Sequence, residues 1–355
     1  MHPDLTVVIP SLNGARGVDR CLRALAAQSI RPRMEILVID DGSADDTASV
    51  ARAHGVTVIS HPGNRGIAAA RNTGLNAATA DIVAFLDDDC EPEPEWARHL
   101  LSGYAADDVA GVSGPIIPRT PPGYLSGFLT RNNPLVPLEL ELTESYSLPY
   151  RFYLYVRRQW SAEPRTGPRD VYSFAGANMS FRRKALFEAG QFDERFRFGA
   201  EELDMCMRVT QSLPGARLAM VPGACVVHHF KPQLRDTLRR SRSYGIGSAR
   251  LHRKWPALPP TVFPGPVLVL ALLAAAAWQP ALAIAGGLAP LLLYPRGLRT
   301  SIREHEPAAM FDAYVRLAQE SCEDFGIAVG SWRFRRLEPE RPRDVVTNPS
   351  LEQVL

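Results

Sequence analysis

Over the N-terminal third of the chain, short apolar runs alternate with stretches of helical period. Residues 5–10 (LTVVIP) and 35–39 (EILVI) read as buried strands, Val56–Ile59 as a shorter one, and Ile82, Val83, Phe85 and Leu86 as a fourth. Between the first two, Val18, Cys21, Leu22 and Leu25 share one face of a helix over 18–28. Asp45-Asp46-Thr47 suits the start of a second helix, where carboxylates satisfy free amides and favour the dipole. The small residues of Asn64–Gly74 open a third helix. This alternation predicts an α/β fold with a doubly wound, mostly parallel sheet.

The fourth strand sits in the segment DIVAFLDDDCE (81–91) and ends abruptly in Asp87, Asp88 and Asp89. Open α/β sheets bind ligands beyond the carboxyl ends of their strands. The triple Asp and the pair Asp40-Asp41 then share one edge. Three adjacent carboxylates repel one another unless something positive compensates them. A divalent cation carrying a phosphorylated ligand is the matching partner, because hard cations prefer oxygen ligands. A solvated acidic turn is the competing reading.

Together, VVIPSLNG, VIDDGS, NRG, ARNTG and FLDDD resemble, in order and spacing, the family 2 glycosyltransferases of the GT-A fold. FAGANMSFRRKALFEAGQFDERFRFGAEELDMCMR (174–208) resembles the acceptor-side half of that family, so the resemblance covers residues 5–230. HHFKPQLRDTLRRSRSYG (228–245) resembles actinobacterial members related to mycofactocin-type glycosyltransferases. The resemblance implies roles residue by residue. Pro10 to Asn13 form the loop around the nucleotide, and Asp41 with Asp40 hydrogen-bonds the base. Arg71 contacts base or phosphate, Asp87 faces the ribose, Asp88 fills the middle position and Asp89 holds Mg²⁺ or Mn²⁺. A helix-surface arginine and a turn carboxylate are the ordinary alternatives for Arg71 and Asp40. Ala200-Glu201-Glu202-Leu203-Asp204 matches the family's base motif, with Glu202 where an Asp is usual; Glu201 is a second candidate and an acidic helix start the alternative. His228, after the strand 224–227, is expected to complete the metal site, against a purely structural histidine.

The implied reaction is an inverting, metal-dependent displacement. A sugar leaves a nucleotide-sugar donor for a hydroxyl on a glycan, a lipid-linked saccharide or a small molecule. LHRKW (251–255) departs from the Gln/Arg-x-x-Arg-Trp pattern of processive synthases, which points to limited addition. A nucleotidyltransferase is the competing enzyme class, but SLNGARG after the first strand lacks its usual phosphate loop. A catalytically silent nucleotide-sugar-binding protein is a third reading. The retained Asp87, Asp89 and Glu202 speak against it.

With 355 residues, the chain has room for one GT-A domain and an appendage. The expected units are a donor half (1–118), an acceptor-side half (119–230), a basic linker helix (231–256), an apolar helical hairpin (257–295) and a C-terminal helix with a flexible tail (296–355). Within the acceptor-side half, 119–170 reads as a loop-rich insertion that contacts the acceptor near Trp160. A net charge of +2 suggests no nucleic-acid partner, and five scattered cysteines fit reduced thiols in a bacterial cytosol. No signal peptide is expected ahead of the first strand.

No charged residue occurs from Ala257 to Pro295. The apolar stretches Val262–Trp278 and Ala281–Tyr294 flank Gln279-Pro280, each short of the ~20 residues a span needs. A hairpin dipping into or crossing the bilayer is expected, with a buried helix pair as the alternative. Residues 231–254 hold eight Lys/Arg against Asp236 alone, and Arg296, Arg299 and Arg303 follow the hairpin. These flanks place both ends at the cytoplasmic face of the cell membrane, beside anionic lipid. A chain ended near Lys254 is expected to be more soluble. Residues 306–330 read as a further helix along the interface, and Pro339–Leu355 as a poorly ordered tail.

Overall fold

The computed structural model describes residues 2–145, 147–160, 165–197, 199–256, 258 and 263–337; the expected tail from Pro339 lies outside them. The chain begins β1 (Leu5–Ser11), α1 (Ala15–Ala26), β2 (Met34–Asp40), α2 (Thr47–Ala53), β3 (Thr57–Ser60), α3 (Ile67–Ala77) and β4 (Ile82–Leu86), then β5 (Cys90–Pro92) and α4 (Trp96–Ser102). β6 (Val109–Ser113), β7 (Ile116–Arg119), α5 (Tyr124–Arg131), β8 (Leu138–Glu139) and α6 (Leu148–Trp160) follow. Next come β9 (Arg169–Ser173), β10 (Asn178–Arg182), α7 (Arg183–Glu188), α8 (Glu201–Ser212), β11 (Arg217–Met220) and β12 (Val226–His229).

Nine strands form one sheet in the order β3-β2-β1-β4-β10-β6-β11-β9-β8. The donor side, β3-β2-β1-β4, is parallel, while β10 enters antiparallel between β4 and β6. Every residue of β1 and β4 is buried, as expected for strands covered on both faces. Alternation then sorts the side chains. Leu5, Val7 and Ile9 face one layer with Val18, Leu22 and Trp96, and Val8 faces the other with Ala70 and Leu75. A second sheet, β5-β12-β7, crosses the carboxyl edge, with His228 opposite Cys90.

Three features depart from the sequence expectation. The histidine pair lies inside β12 rather than after the strand, so His228 is buried and His229 points to the other face. The 119–170 segment is not mainly loop: α5 and α6 occupy much of it, and its residues 161–164 lie outside the described ones. The basic segment forms α9 (Leu234–Lys254), and it is no free linker. Its face Thr237, Ser241, Gly245, Ile246 and Ala249 is buried. The cover comes from α13 (Asp312–Phe334), which lies against α9 backbone to backbone: a Cβ on Gly245 would stand 2.0 Å from the Glu323 carbonyl oxygen, and one on Gly326 2.2 Å from that of Arg242. Ending the chain at Lys254 would strip α9 of this cover, so greater solubility does not follow.

Between α9 and α13 lie α10 (Pro264–Ala275), α11 (Ala281–Leu293) and α12 (Pro295–Arg303). Among the described residues no single helix is long and apolar enough to cross a membrane; α11 and α12 pass that test only as a pair bent by 74°. The insertion is tied to these helices. Arg131 pairs with buried Asp312 at 2.7 Å, and Arg299 donates to the Trp160 carbonyl at 2.7 Å with its guanidinium over the Trp160 ring.

Candidate active site

The carboxyl ends of β1, β2 and β4 meet the amino ends of α1, α3 and α8. At β1, Pro10 is buried opposite Ile39 of β2. Asn13 follows in the left-handed region, at φ 55°. Its amide donates to Ser43 Oγ at 2.9 Å and its Oδ1 accepts from the Ala44 amide at 2.8 Å, lacing the β1 and β2 loops together. Asp40 accepts from the Ser43 amide at 3.0 Å. Asp41 is held by its own loop: Oδ1 meets His61 Nδ1 at 2.6 Å and the Arg65 amide at 2.9 Å, and Oδ2 accepts from the Gly66 amide at 2.8 Å. Both of its oxygens are thus engaged in shaping the 61–66 turn.

The triple Asp loop sits under the start of α1. A Cβ on Gly14 would fall 2.0 Å from Asp88 Oδ2, and one on Gly17 2.8 Å from the Asp88 carbonyl, so only glycine lets the helix approach this closely. Ser11 Oγ donates to Asp88 Oδ2. Asp87 meets Arg71, whose side chain is 1% exposed and whose two terminal nitrogens are both engaged, while its Nε has no hydrogen-bond partner. It contacts Glu201 at 2.7 Å, Asp87 at 3.4 Å and the Gly176 carbonyl at 3.1 Å, and lies 5.6 Å from the Phe192 ring centre. A helix-surface arginine is excluded. Arg71 bridges the donor-side carboxylates to the start of α8.

Asp89 faces His228 across the two sheets, with Oδ1 3.2 Å from Nε2. Neither that oxygen nor His228 Nδ1 has a hydrogen-bond partner. Cys90 is the third potential ligand within reach. Burial drives its thiol well above the ordinary range, and Sγ donates to the Ala177 carbonyl at 3.5 Å. Burial also lowers His228 to about 3, helped by Arg240 and His229, so the imidazole is neutral and its lone pair is free for a cation. Asp89 is pushed up to about 8, by burial first and then by Asp87 and Asp88; Asp88 rises to about 6, mainly by burial. These shifts describe carboxylates short of positive charge. A hard divalent cation held by Asp89 and His228 would supply it.

At α8 the two candidate bases separate. Glu201 is buried and paired with Arg71, whereas Glu202 is less buried. Burial, then the neighbouring Glu201 charge, raises Glu202 to about 8. Asp204, fully buried in the same helix, binds Arg208 at 2.9 Å, Lys254 Nζ at 2.8 Å and the Trp255 indole N–H at 2.9 Å. Sequence reasoning did not find this last set, which clamps the end of α9 to α8, the helix of both candidate bases. It also did not find His61, Phe192 or Arg240.

A family model described as glycosyl transferase family 2 matches residues 6–188. The chain belongs to glycosyltransferase family 2. A second model of that family group covers residues 149–295. A pre-mycofactocin glycosyltransferase of Mycobacterium tuberculosis (strain ATCC 25618 / H37Rv) is 35% identical over 259 residues, covering 72% of this chain and 49% of the relative. A chondroitin synthase of Escherichia coli is 28% identical over 71% of this chain and 38% of its own length. This family 2 chain thus spans about half the length, or less, of these two curated relatives. Among solved structures, a mannosyltransferase from Pyrobaculum calidifontis, in complex with GDP-Man and Mn²⁺, shares the fold at a TM-score of 0.53 and 20% identity over 94% of this chain and 88% of that one.

Proposed function

We propose that this chain transfers a sugar from a nucleoside-diphosphate sugar to a hydroxyl acceptor in one inverting, non-processive displacement. One observation carries the reading: the carboxylate set at Asp87–Asp89 and the carboxyl of Glu202 are separate centres joined by one buried arginine, Arg71. The first is placed for the donor and the second for the acceptor. Glu201 is neutralised by Arg71, which leaves Glu202 as the group free to accept the acceptor's proton. Its high affinity for a proton makes it a strong base once ionised. Asp89 and His228 would hold Mg²⁺ or Mn²⁺, which stabilises negative charge on the departing diphosphate. The Mn²⁺ beside GDP-Man in the Pyrobaculum structure supports that choice. Full-length protein incubated with a panel of nucleotide sugars, Mn²⁺ and candidate glycan, lipid-linked or small-molecule acceptors should release nucleoside diphosphate and form a product of inverted anomeric configuration. Retention, or release of pyrophosphate as a nucleotidyltransferase would give, overturns the reading.

The place of action is proposed as the cytoplasmic face of the cell membrane. Leu270 on α10, Trp278 in the turn after it, and Ile284 and Leu292 on α11 are each about two-thirds exposed or more, within a stretch that holds no charged residue. At ~1.5 Å per residue each helix reaches about 18–20 Å, against ~30 Å for a bilayer core. The hairpin therefore suits insertion into one leaflet, with both ends on the same side.

A further inference from the structure

The cation that the family resemblance assigns to the nucleotide, Arg71, is enclosed, and its terminal nitrogens are engaged by Glu201, Asp87 and Gly176. A second guanidinium lies close enough to act electrostatically on the same carboxylates. Arg240, on the second turn of α9, lies 4.6 Å above the ring of Phe230, and that ring lies 4.3 Å from the ring of His228. His228 in turn is 3.2 Å from Asp89. This stack fixes a half-buried, permanently charged group beside the centre. Among the described residues no carboxylate pairs with it, although its charge favours the ionised forms of Asp87 and Asp89. Exposed Lys231, at the start of the same segment, does the same for Asp88.

An unpaired guanidinium next to a divalent-cation site is repelled by that cation unless an anion lies between them. We propose that Arg240 donates to the phosphate oxygens of the donor's diphosphate, opposite the metal, and to those of the departing nucleoside diphosphate. The proposal rests on the donor-site reading above. It also reassigns part of α9: half-buried Arg240 serves the nucleotide, while exposed basic residues such as Arg239 remain for solvent or lipid. The guanidinium fork matches phosphate geometry, and a lost charge-assisted contact commonly weakens binding tenfold or more.

The test titrates the full chain, in Mn²⁺, with UDP and GDP and with UMP and GMP. For whichever base binds, Arg240→Gln should lose 10- to 100-fold in diphosphate affinity and change monophosphate affinity by less than threefold. Arg240→Lys should recover part of the loss, and Arg239→Gln should behave as wild type. Equal weakening of mono- and diphosphate, or loss in Arg239→Gln as well, would show general electrostatics and overturn the contact. Wild-type protein that binds neither diphosphate overturns the donor site itself, and is thereby told apart from a failure of Arg240 alone. Lipid phosphate offers the same chemistry, so vesicles containing phosphatidylglycerol form the last arm. Arg240→Gln should bind them as wild type does; reduced vesicle binding with intact diphosphate affinity would assign the residue to the membrane instead.

Discussion

Replacing Glu202 by Gln keeps the side chain's shape and removes its basicity, and the structure predicts opposite effects on rate and stability. Burial and the adjacent Glu201 raise this carboxyl from its ordinary 4.5 to about 8. A raised acid binds its proton more tightly folded than unfolded, so stability falls as pH climbs from about 4.5 to about 8 and is level beyond. At ~1.4 kcal/mol per pH unit across that window the ceiling is near ~5 kcal/mol; partial contact with water should leave ~2 kcal/mol. Glu202→Gln should therefore melt roughly 4 °C above wild type at pH 8.5 and close to it at pH 5. Catalysis moves the other way. A general base is worth about 10²- to 10⁴-fold, so turnover should drop by that range while donor affinity holds. The rising limb of wild-type kcat/KM should flatten in the variant. Nucleoside diphosphate release across pH 5–9, with thermal melts in the same buffers, reads both. Unchanged turnover, or a pH limb that survives the substitution, would move the base to Glu201 or Asp204. A variant no more stable at pH 8.5 than at pH 5, relative to wild type, would refute the buried-charge argument.

Asp89→Ala should abolish transfer and metal-dependent nucleotide binding; near-wild-type turnover in EDTA would sink the metal assignment. Replacing exposed Leu270, Ile284 and Leu292 together by Gln should release the protein from sedimented membranes, whereas high salt should not release wild type. Release by salt alone would mean electrostatic attachment. A chain ended after Lys254 should be less soluble than the full chain, because α13 no longer covers α9; a stable, monodisperse truncation would contradict the packing described here.

The parts of the site legible in sequence are those whose cause is local. β1 and β4 are buried on both faces, so each is a continuous apolar run, and the run's end marks the sheet edge. The triple Asp, the Glu201-Glu202 pair and His228 announce themselves by chemistry. What was not legible depends on partners far along the chain. Glu201 and Glu202 look equivalent until Arg71, 130 residues away, takes one of them. α9 reads as a basic linker because its buried face is made largely of Thr237, Ser241, Gly245 and Ala249, which carry no apolar period. Small residues there serve close helix contact, and hydropathy is blind to that. The helix α6 was hidden by turn residues before it and by an aromatic run that suited a binding loop equally well.

α9 and α13 also run parallel. Gly326 meets Arg242, Glu323 meets Gly245, and Gly330 meets Ala249, while Arg253, near the end of α9, donates to the Leu337 carbonyl past the end of α13. A parallel pair requires the chain to travel back the length of the first helix, about 31 Å for α9's 21 residues. Residues 255–311 make that return, and this is where the apolar hairpin sits. The hairpin is therefore part of an obligatory crossover, not an appendage that can be cut off. One end of the crossover leaves from Trp255, which holds Asp204 in α8; the other enters at Asp312, which holds Arg131 in the insertion. The proposed membrane seating and the helix of the proposed base are thus tied to one helix pair. For that reason polar substitution on the hairpin's exposed face, rather than deletion, is the perturbation that separates attachment from catalysis.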